Sequence, residues 1–330
     1  MRDGQAKLVL LPPAIVLLRA MRQTFIGGGG WAYFRVPSLS PLKAYSRSFD
    51  YVEVNSTFYE MPSLQEVEGW RRAVPESFHF SVRAHRSITH ACPFDDSEAT
   101  HSSFLRMLEI CRILRADILH LQLPPTAIPD QALARSLSDF LGAHEWRPIQ
   151  LALETRVEAS LASSPQLLEA MQERGIIHSV DPLKGQVPAY YSDTLYARLF
   201  GRGYHNLYQP TDDELKSLDD LASGFNRAFL TFHGARMYSD AARLKTYRAR
   251  GKFPSLTKAV GLDSLREVLA EDTVFPSMKA ELSHSQGWKL YEAPGDKRVR
   301  VGEALSLLPD GIYSSLDEVL KALGEKGSPS

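Results

Sequence analysis

From Thr24 onward, short runs of β-type residues alternate with longer stretches in which apolar positions recur every three or four residues. This is the one-dimensional signature of parallel strands joined by helices. TFIGGGGW reads as a first strand entering a glycine turn, and LSPLKAYSRSF as a helix. YVEVNSTFY predicts a second strand, followed by a Ser-initiated helix, SLQEVEGWRRAV. Strand FHFSVRAH precedes helix SSFLRMLEICRIL, DILHLQLP precedes DQALARSLSDFLGAH, and PIQLALETR precedes SPQLLEAMQERG, with Gly175 as its stop. IIHSVDP, LYARLFG and RAFLTFHG supply three more strands, and DDELKSLDDLA a further helix. Eight strands over about 230 residues predict a (β/α)8 barrel. A doubly wound open sheet is the competing fold, but no glycine fingerprint followed by a distant acid accompanies the first strand.

The pattern changes near Lys252. Residues 253–323 carry helix SLREVLAE, a mixed stretch with a hairpin-like Pro-Gly-Asp, and a Ser-capped helix SLDEVLKAL, which predicts a small appended α+β module after a barrel spanning residues 21–252. Residues 324–330 are expected to be disordered. Leu8 to Leu18 is apolar but too short to span a bilayer, and Pro12 and Pro13 interrupt it. Residues 1–20 are therefore expected to be an extension, disordered ahead of a domain opening at Met21.

Charge narrows the picture little. The 38 Lys plus Arg nearly cancel 39 Asp plus Glu, so any grip on nucleic acid must come from a local basic patch. The two cysteines, Cys92 and Cys111, show neither a CxxC nor a zinc spacing, which fits a reducing compartment and a cytoplasmic location.

Several segments are more distinctive than composition: IGGGGW, VEVNSTFYEMPS, VEGWRRAVPESF and FSVRAHRSITH, followed in order by LHLQLPP, ALETR, DPL and RMYSDAARL. This run, from about Thr24 to Arg250, resembles the YecE-like family, known as domain of unknown function 72. The resemblance implies a barrel of the xylose-isomerase and endonuclease IV type, with a binding or processing role on nucleic acid. The chain departs from the family pattern twice. Where Arg-Leu-His-Gly is usual it reads Arg198-Leu199-Phe200-Gly201, and where Phe-Asn-Asn is usual it reads Phe232-His233-Gly234. One imidazole is lost and another gained nearby, with His233 or His205 as the replacement.

In a parallel barrel the inward side chains near the C-terminal strand ends build the site. Alternation groups Glu53, Asn55 and Thr57 on strand two; Ser81, Arg83 and His85 on three; His120 and Gln122 on four; and Ala152, Glu154 and Arg156 on five. Glu53 and Glu154, with Asn55, are the candidate acid/base groups, since a mid-strand carboxylate is costly to bury without a task or a partner. The competing reading is an ionic network, with Glu53 on Arg83 and Glu154 on Arg156 or Arg198. Arg83, Arg86, Arg156 and Arg198 present forks suited to phosphate or carboxylate. Trp31, Phe58, Tyr59 and Tyr238 are placed near the mouth, where exposed rings could stack bases. Gln122, Asp181 and His233 complete the expected pocket. No cofactor is predicted, although His85, His120, Glu154, Asp181 and His233 leave a divalent metal open. Arg243, Lys245, Arg248, Arg250 and Lys252, five cations in ten residues, are expected to extend the pocket as a nucleic-acid patch. These features lead to a phosphorylated ligand, above all DNA or RNA, with hydrolysis as the accompanying chemistry. A sugar-phosphate isomerase and a non-catalytic nucleic-acid binder are the alternatives.

Overall fold

The computed structural model describes residues 22–156, 164–204, 206–295 and 297–325. The expected N-terminal extension, most of the C-terminal tail and His205 lie outside the described residues. The first half of the barrel runs β1 (Gln23–Gly28), α1 (Pro41–Tyr45), β2 (Tyr51–Val54), α2 (Leu64–Arg72), β3 (His79–Arg83), α3 (Arg86–Thr89), α4 (Glu98–Leu114) and β4 (Ile118–Gln122). The second half runs α5 (Gln131–Gly142), β5 (Gln150–Glu154), α6 (Pro165–Arg174), β6 (Ile177–His178), β7 (Thr194–Leu199), α7 (Asp212–Ala222), β8 (Arg227–Phe232) and α8 (Met237–Arg250). Every ladder among these strands is parallel, so the chain adopts the (β/α)8 architecture that its periodicity predicts.

The helices begin and end where local chemistry says they should. The Ser63 side chain accepts from the Glu66 amide, Asp130 from Leu133, and Thr211 forms a reciprocal capping box with Glu214. Gly175 stops α6 in the left-handed conformation, with φ of 66°. Three expected elements are shorter than their sequence pattern. The helix read over LSPLKAYSRSF is confined to α1; the strand read over IIHSVDP is two residues long; and β2 ends at Val54, with Ser56–Phe58 turning into a 3-10 helix.

The ladders fall into two sheets, β2-β3-β4-β5-β6 and β7-β8-β1. At one seam, Val180, just past β6, bridges Ala197 of β7. At the other, the Tyr45 hydroxyl accepts from the Gly28 amide and donates to the Tyr51 carbonyl, both at 2.8 Å. A phenol therefore replaces a direct β1–β2 hydrogen bond. Gly27 permits the close approach, because a Cβ there would lie 2.1 Å from the Tyr51 carbonyl oxygen. Inside the barrel, Phe25, Tyr51, Ile118, Ala152, Ile177, Tyr196 and Phe229 form a packed layer, which floors the polar residues above it.

The chain then forms α9 (Leu262–Leu269), β9 (Ser277–Met278), α10 (Lys279–Gln286), β10 (Leu290–Ala293), β11 (Lys297–Arg300), α11 (Val301–Ser306), β12 (Ile312–Tyr313) and α12 (Leu316–Gly324). These elements have a core of their own, including Leu265, Leu282, Leu305 and Val319. They dock on α7 and α8. Asp212 accepts from Arg243 of α8 at 2.7 Å and also from Arg298 of β11, while Gln209 accepts from the Leu290 amide at 2.8 Å.

This docking corrects the expectation for the basic segment. Arg243 is 2% exposed and ion-paired with Asp212 and Asp240, so it holds the module and is not part of an open phosphate track. Lys245 pairs with Asp50, and Arg248 pairs with Asp219. Because α8 runs back along the barrel from the end of β8, Lys245 and Arg248 lie beside Thr24 and Asp50, at the foot of β1 and β2. Arg250 and Lys252, at and just beyond the end of α8, are exposed. The segment descends away from the mouth and does not extend the pocket.

Candidate functional site

The polar layer centres on Arg198, whose side chain is 2% exposed. Its Nε donates to Glu53 Oε2 at 2.9 Å and its Nη2 to Glu53 Oε1 at 3.0 Å, a bidentate pair. Its Nη1 donates to Glu154 Oε2 at 2.6 Å and to Gln122 Oε1 at 2.9 Å. One guanidinium on β7 thus joins side chains from β2, β4 and β5. Arg156 adds a bond from Nε to Glu154 Oε1 at 2.8 Å.

Beneath Glu53 runs a chain of hydroxyls. Tyr196 donates to Glu53 Oε2 at 2.5 Å. Its single proton is thereby committed, so Ser81, 3.0 Å away, must donate to Tyr196. The same logic makes Tyr51 the donor to Ser81 and Thr231 the donor to Tyr51, each at 2.7 Å. Four hydroxyls therefore point in one direction, toward one carboxylate.

Electrostatics follow from this geometry. Burial alone would raise the Glu53 and Glu154 pKa values, but Arg198 holds both carboxyls well below the usual range. His120, fully buried, is pushed down to about 4 by burial and then by Arg198. His233 is lowered by the same two causes. His120 Nε2 stands 3.2 Å from Glu154 Oε2 and His233 Nε2 stands 3.4 Å from Glu53 Oε1, without forming a hydrogen bond in either case. Two anionic carboxylates and two neutral imidazoles surround one cation.

The two departures from the family pattern touch each other. Phe200 and His233 stack at 4.3 Å between centroids and 9° between planes. Gly29 makes room for them, since a Cβ there would fall 2.1 Å from His233 Cε1. On its side facing β5 and β6, Phe200 borders a cleft of about 460 Å³ lined also by Glu154, Arg156, Asp181, Lys184 and Arg198. Three cations lie near this ring: Arg198 at 5.2 Å, Lys184 at 5.5 Å and Arg156 at 5.7 Å from its centroid.

The structure brings together Glu53, Glu154, Gln122, Arg198 and His233, with Arg156 at the edge. Other expected residues are used differently. Thr57 lies beyond the end of β2, where its hydroxyl donates to the carbonyls of Arg83 at 2.6 Å and Val54 at 3.0 Å, so it ties backbone together. His85 lies beyond β3 and caps α3 through Nδ1, which accepts from the Ser87 amide. Asp181 fastens the β7 loop, accepting from the amides of Phe200 at 2.9 Å and Gly201 at 3.0 Å. Glu53 does not pair with Arg83; that guanidinium donates to Asn55 Oδ1 at 2.8 Å. Arg86 is exposed. Trp31 packs edge-on against Trp70 at 5.3 Å, whereas Tyr59 is 62% exposed. Among the described residues, no three of His, Cys, Asp and Glu are grouped to hold a metal ion.

Sequence reasoning missed Tyr196, Lys184 and the direct role of Phe200. Tyr196 shares its strand face with Arg198, so the same alternation could have found it. Lys184 follows Asp181 in the loop after β6, a mouth position whose charge alone gave no warning.

These features define a (β/α)8 barrel with an arginine-bridged carboxylate network at its C-terminal mouth. A match over residues 26–253 to the family described as "Protein of unknown function DUF72" places the chain in that family. It is 29% identical over 170 residues to the UPF0759 protein YunF of Bacillus subtilis, a match spanning 47% of this chain and 59% of that protein. A DUF72 protein of Thermotoga maritima superposes with a TM-score of 0.54 and 20% identity, covering 69% of this chain and all of that one. A DUF72 protein of Enterococcus faecalis gives 0.53 and 18%, covering 69% and 98%. Both likenesses concern the barrel fold. No helix among the described residues is long and apolar enough to cross a membrane.

Proposed function

We propose that the barrel mouth binds a phosphorylated ligand, single-stranded nucleic acid above all, in the cleft between β5 and β7. The observation that carries this reading is the group of Arg156, Lys184 and Arg198 around the half-buried Phe200 ring. Arg156 and Lys184 are solvent-exposed, and although each has one carboxylate partner, Glu154 at 2.8 Å and Asp181 at 4.0 Å, both keep donors for phosphate, while the ring and the exposed Tyr59 offer faces on which bases stack.

Binding is better supported than proton transfer. A general acid or base works best with a pKa near the working pH, but Glu53 and Glu154 are held far below it and His120 at about 4. Hydrolysis remains a second reading through Glu154 alone, the glutamate of the pair that lines the cleft. The sugar-phosphate isomerase reading has weaker support, because it needs a proton shuttle near neutrality.

Anisotropy titration of a labelled oligothymidylate across a salt series tests the proposal. Affinity should fall with salt, by about 0.7 log units per phosphate contact for each log unit of salt. Replacing Arg156 and Lys184 together by Ala should weaken binding and flatten that slope by up to about two contacts. An unchanged slope and affinity would refute the cleft as the binding surface. Turnover of the oligonucleotide, with and without divalent ions, decides between binding and hydrolysis.

A further inference from the structure

Arg83, at the end of β3, is 6% exposed, and among the described residues no carboxylate lies within ion-pairing distance of it. The other buried arginines differ: Arg198 has Glu53 and Glu154, and Arg243 has Asp212 and Asp240. Arg83 donates to Asn55 Oδ1 at 2.8 Å and has the Tyr59 hydroxyl as a second neutral neighbour, while its Nε has no hydrogen-bond partner. The guanidinium lies 3.5 Å from the Phe58 ring centroid and 5.8 Å from that of Tyr59, so its flat face is covered. Asn55 itself is half-buried and directly follows β2.

A buried cation with neither a counter-ion nor a full set of acceptors is costly. The nearby Glu53 offsets it only in part and without a direct bond, since its oxygens are taken by Arg198 and Tyr196. Burial and then the neighbouring Arg198 pull the Arg83 pKa down, against opposing pulls from Glu53 and Tyr59. The exposed Arg86 lies three residues on. The His90 ring stands edge-on to Phe58 at 4.8 Å and is depressed by burial and then by the charges of Arg83, Arg156 and Arg86. One imidazole therefore lies within the field of both the Arg83 region and the Arg156 cleft.

We propose that Arg83, with Asn55 and Arg86, forms a second anion-binding point at the mouth, so that the ligand carries two phosphoryl groups, as successive nucleotides of a single strand do. This rests on the cleft reading above and adds its substrate class. One phosphate occupies Arg156 and Lys184, and the other supplies the negative charge that Arg83 lacks. A base between the two phosphates meets the exposed ring of Tyr59.

Calorimetric titration of the full chain with 5′-phosphorylated thymidylyl-thymidine, which has two phosphates, and with the unphosphorylated dinucleotide, which has one, tests this. The two-phosphate ligand should bind about ten-fold more tightly, the scale of one added charge-assisted contact. Arg83→Met should erase that advantage. Arg86→Ala, at an exposed position that folding tolerates, should reduce the advantage and serves as the arm that survives if the Met variant does not fold. Equal affinity for the two ligands in the parent, or an advantage that persists in both variants, would overturn the second point while leaving the cleft intact. Binding of neither dinucleotide would overturn both. A sugar bisphosphate that binds as tightly as the two-phosphate dinucleotide would overturn the assignment to a nucleic-acid strand.

Discussion

Replacing Arg198 with Met removes the only guanidinium in contact with Glu53, among the described residues, while roughly preserving side-chain volume. The two glutamates are not equally affected. Glu154 keeps its bond from Arg156 and a partly exposed edge, whereas Glu53 is fully buried and keeps the Tyr196 hydroxyl and the nearby His233 imidazole but no guanidinium. The loss therefore falls mainly on one uncompensated buried carboxylate, at about 3–5 kcal/mol. Converted at about 2 °C per kcal/mol for a chain of this size, this lowers Tm by ~6–10 °C near neutrality. The pH dependence supplies the discriminating sign. In the parent, Glu53 is depressed below its unfolded value, so its contribution is present above the unfolded pKa and is lost as pH falls through the folded one. In the variant, burial without Arg198 raises the folded pKa of Glu53. The carboxyl then takes up a proton as pH falls, and the gap between parent and variant narrows. Differential scanning fluorimetry from about pH 8 to about pH 5 reads both quantities. Adding Glu53→Gln to Arg198→Met should recover most of the lost stability at neutral pH. A variant as stable as the parent across the range, or a gap that widens on acidification, would refute the argument that Arg198 neutralises Glu53.

Three further outcomes are expected. Gly29→Ala places a methyl group 2.1 Å from His233 Cε1, so it should destabilise the fold by about 1–3 kcal/mol in chemical denaturation and break the Phe200–His233 stack; an unaffected midpoint counts against the close approach. The His120 imidazole, held at about 4, should keep neutral nitrogen chemical shifts through pH 6 in NMR titration, and a transition near about 6.5 would contradict its burial beside Arg198. Replacing Arg248 and Lys252 by Ser should leave oligonucleotide affinity and salt slope unchanged, because Arg248 lies at the foot of the barrel and Lys252 follows beyond the end of α8; a flatter slope would return the basic segment to the binding surface.

The barrel was legible because strand and helix periods alternate cleanly, and Glu53, Glu154 and Arg198 stood out because charges mid-strand demand partners. Alternation failed where it was extended past the true strand ends. Thr57 and His85 both follow the last residue of their strands, where the backbone has already turned and a period of two no longer tells which way a side chain faces. The choice of partner was also beyond the sequence. Glu53 selects Arg198 of β7 over Arg83 of the adjacent strand, a preference set by barrel curvature and reach across the interior. The basic segment misled for another reason: charge density along a chain does not reveal acids brought alongside by other elements, and Asp50, Asp212 and Asp219 are distant in sequence.

The two sheets that make up the barrel meet at seams closed by a single bridge on one side and the Tyr45 hydroxyl on the other. Arg198 belongs to the three-stranded sheet, while its acceptors Glu53, Gln122 and Glu154 all belong to the five-stranded one. The site is therefore also a rivet: the bonds that set its electrostatics are the ones that clasp the two staves at their upper rim. Drift at any one of these positions is consequently constrained twice over, by the charge it must balance and by the closure it must maintain, so neutral replacements here have to arise in concert and not one at a time.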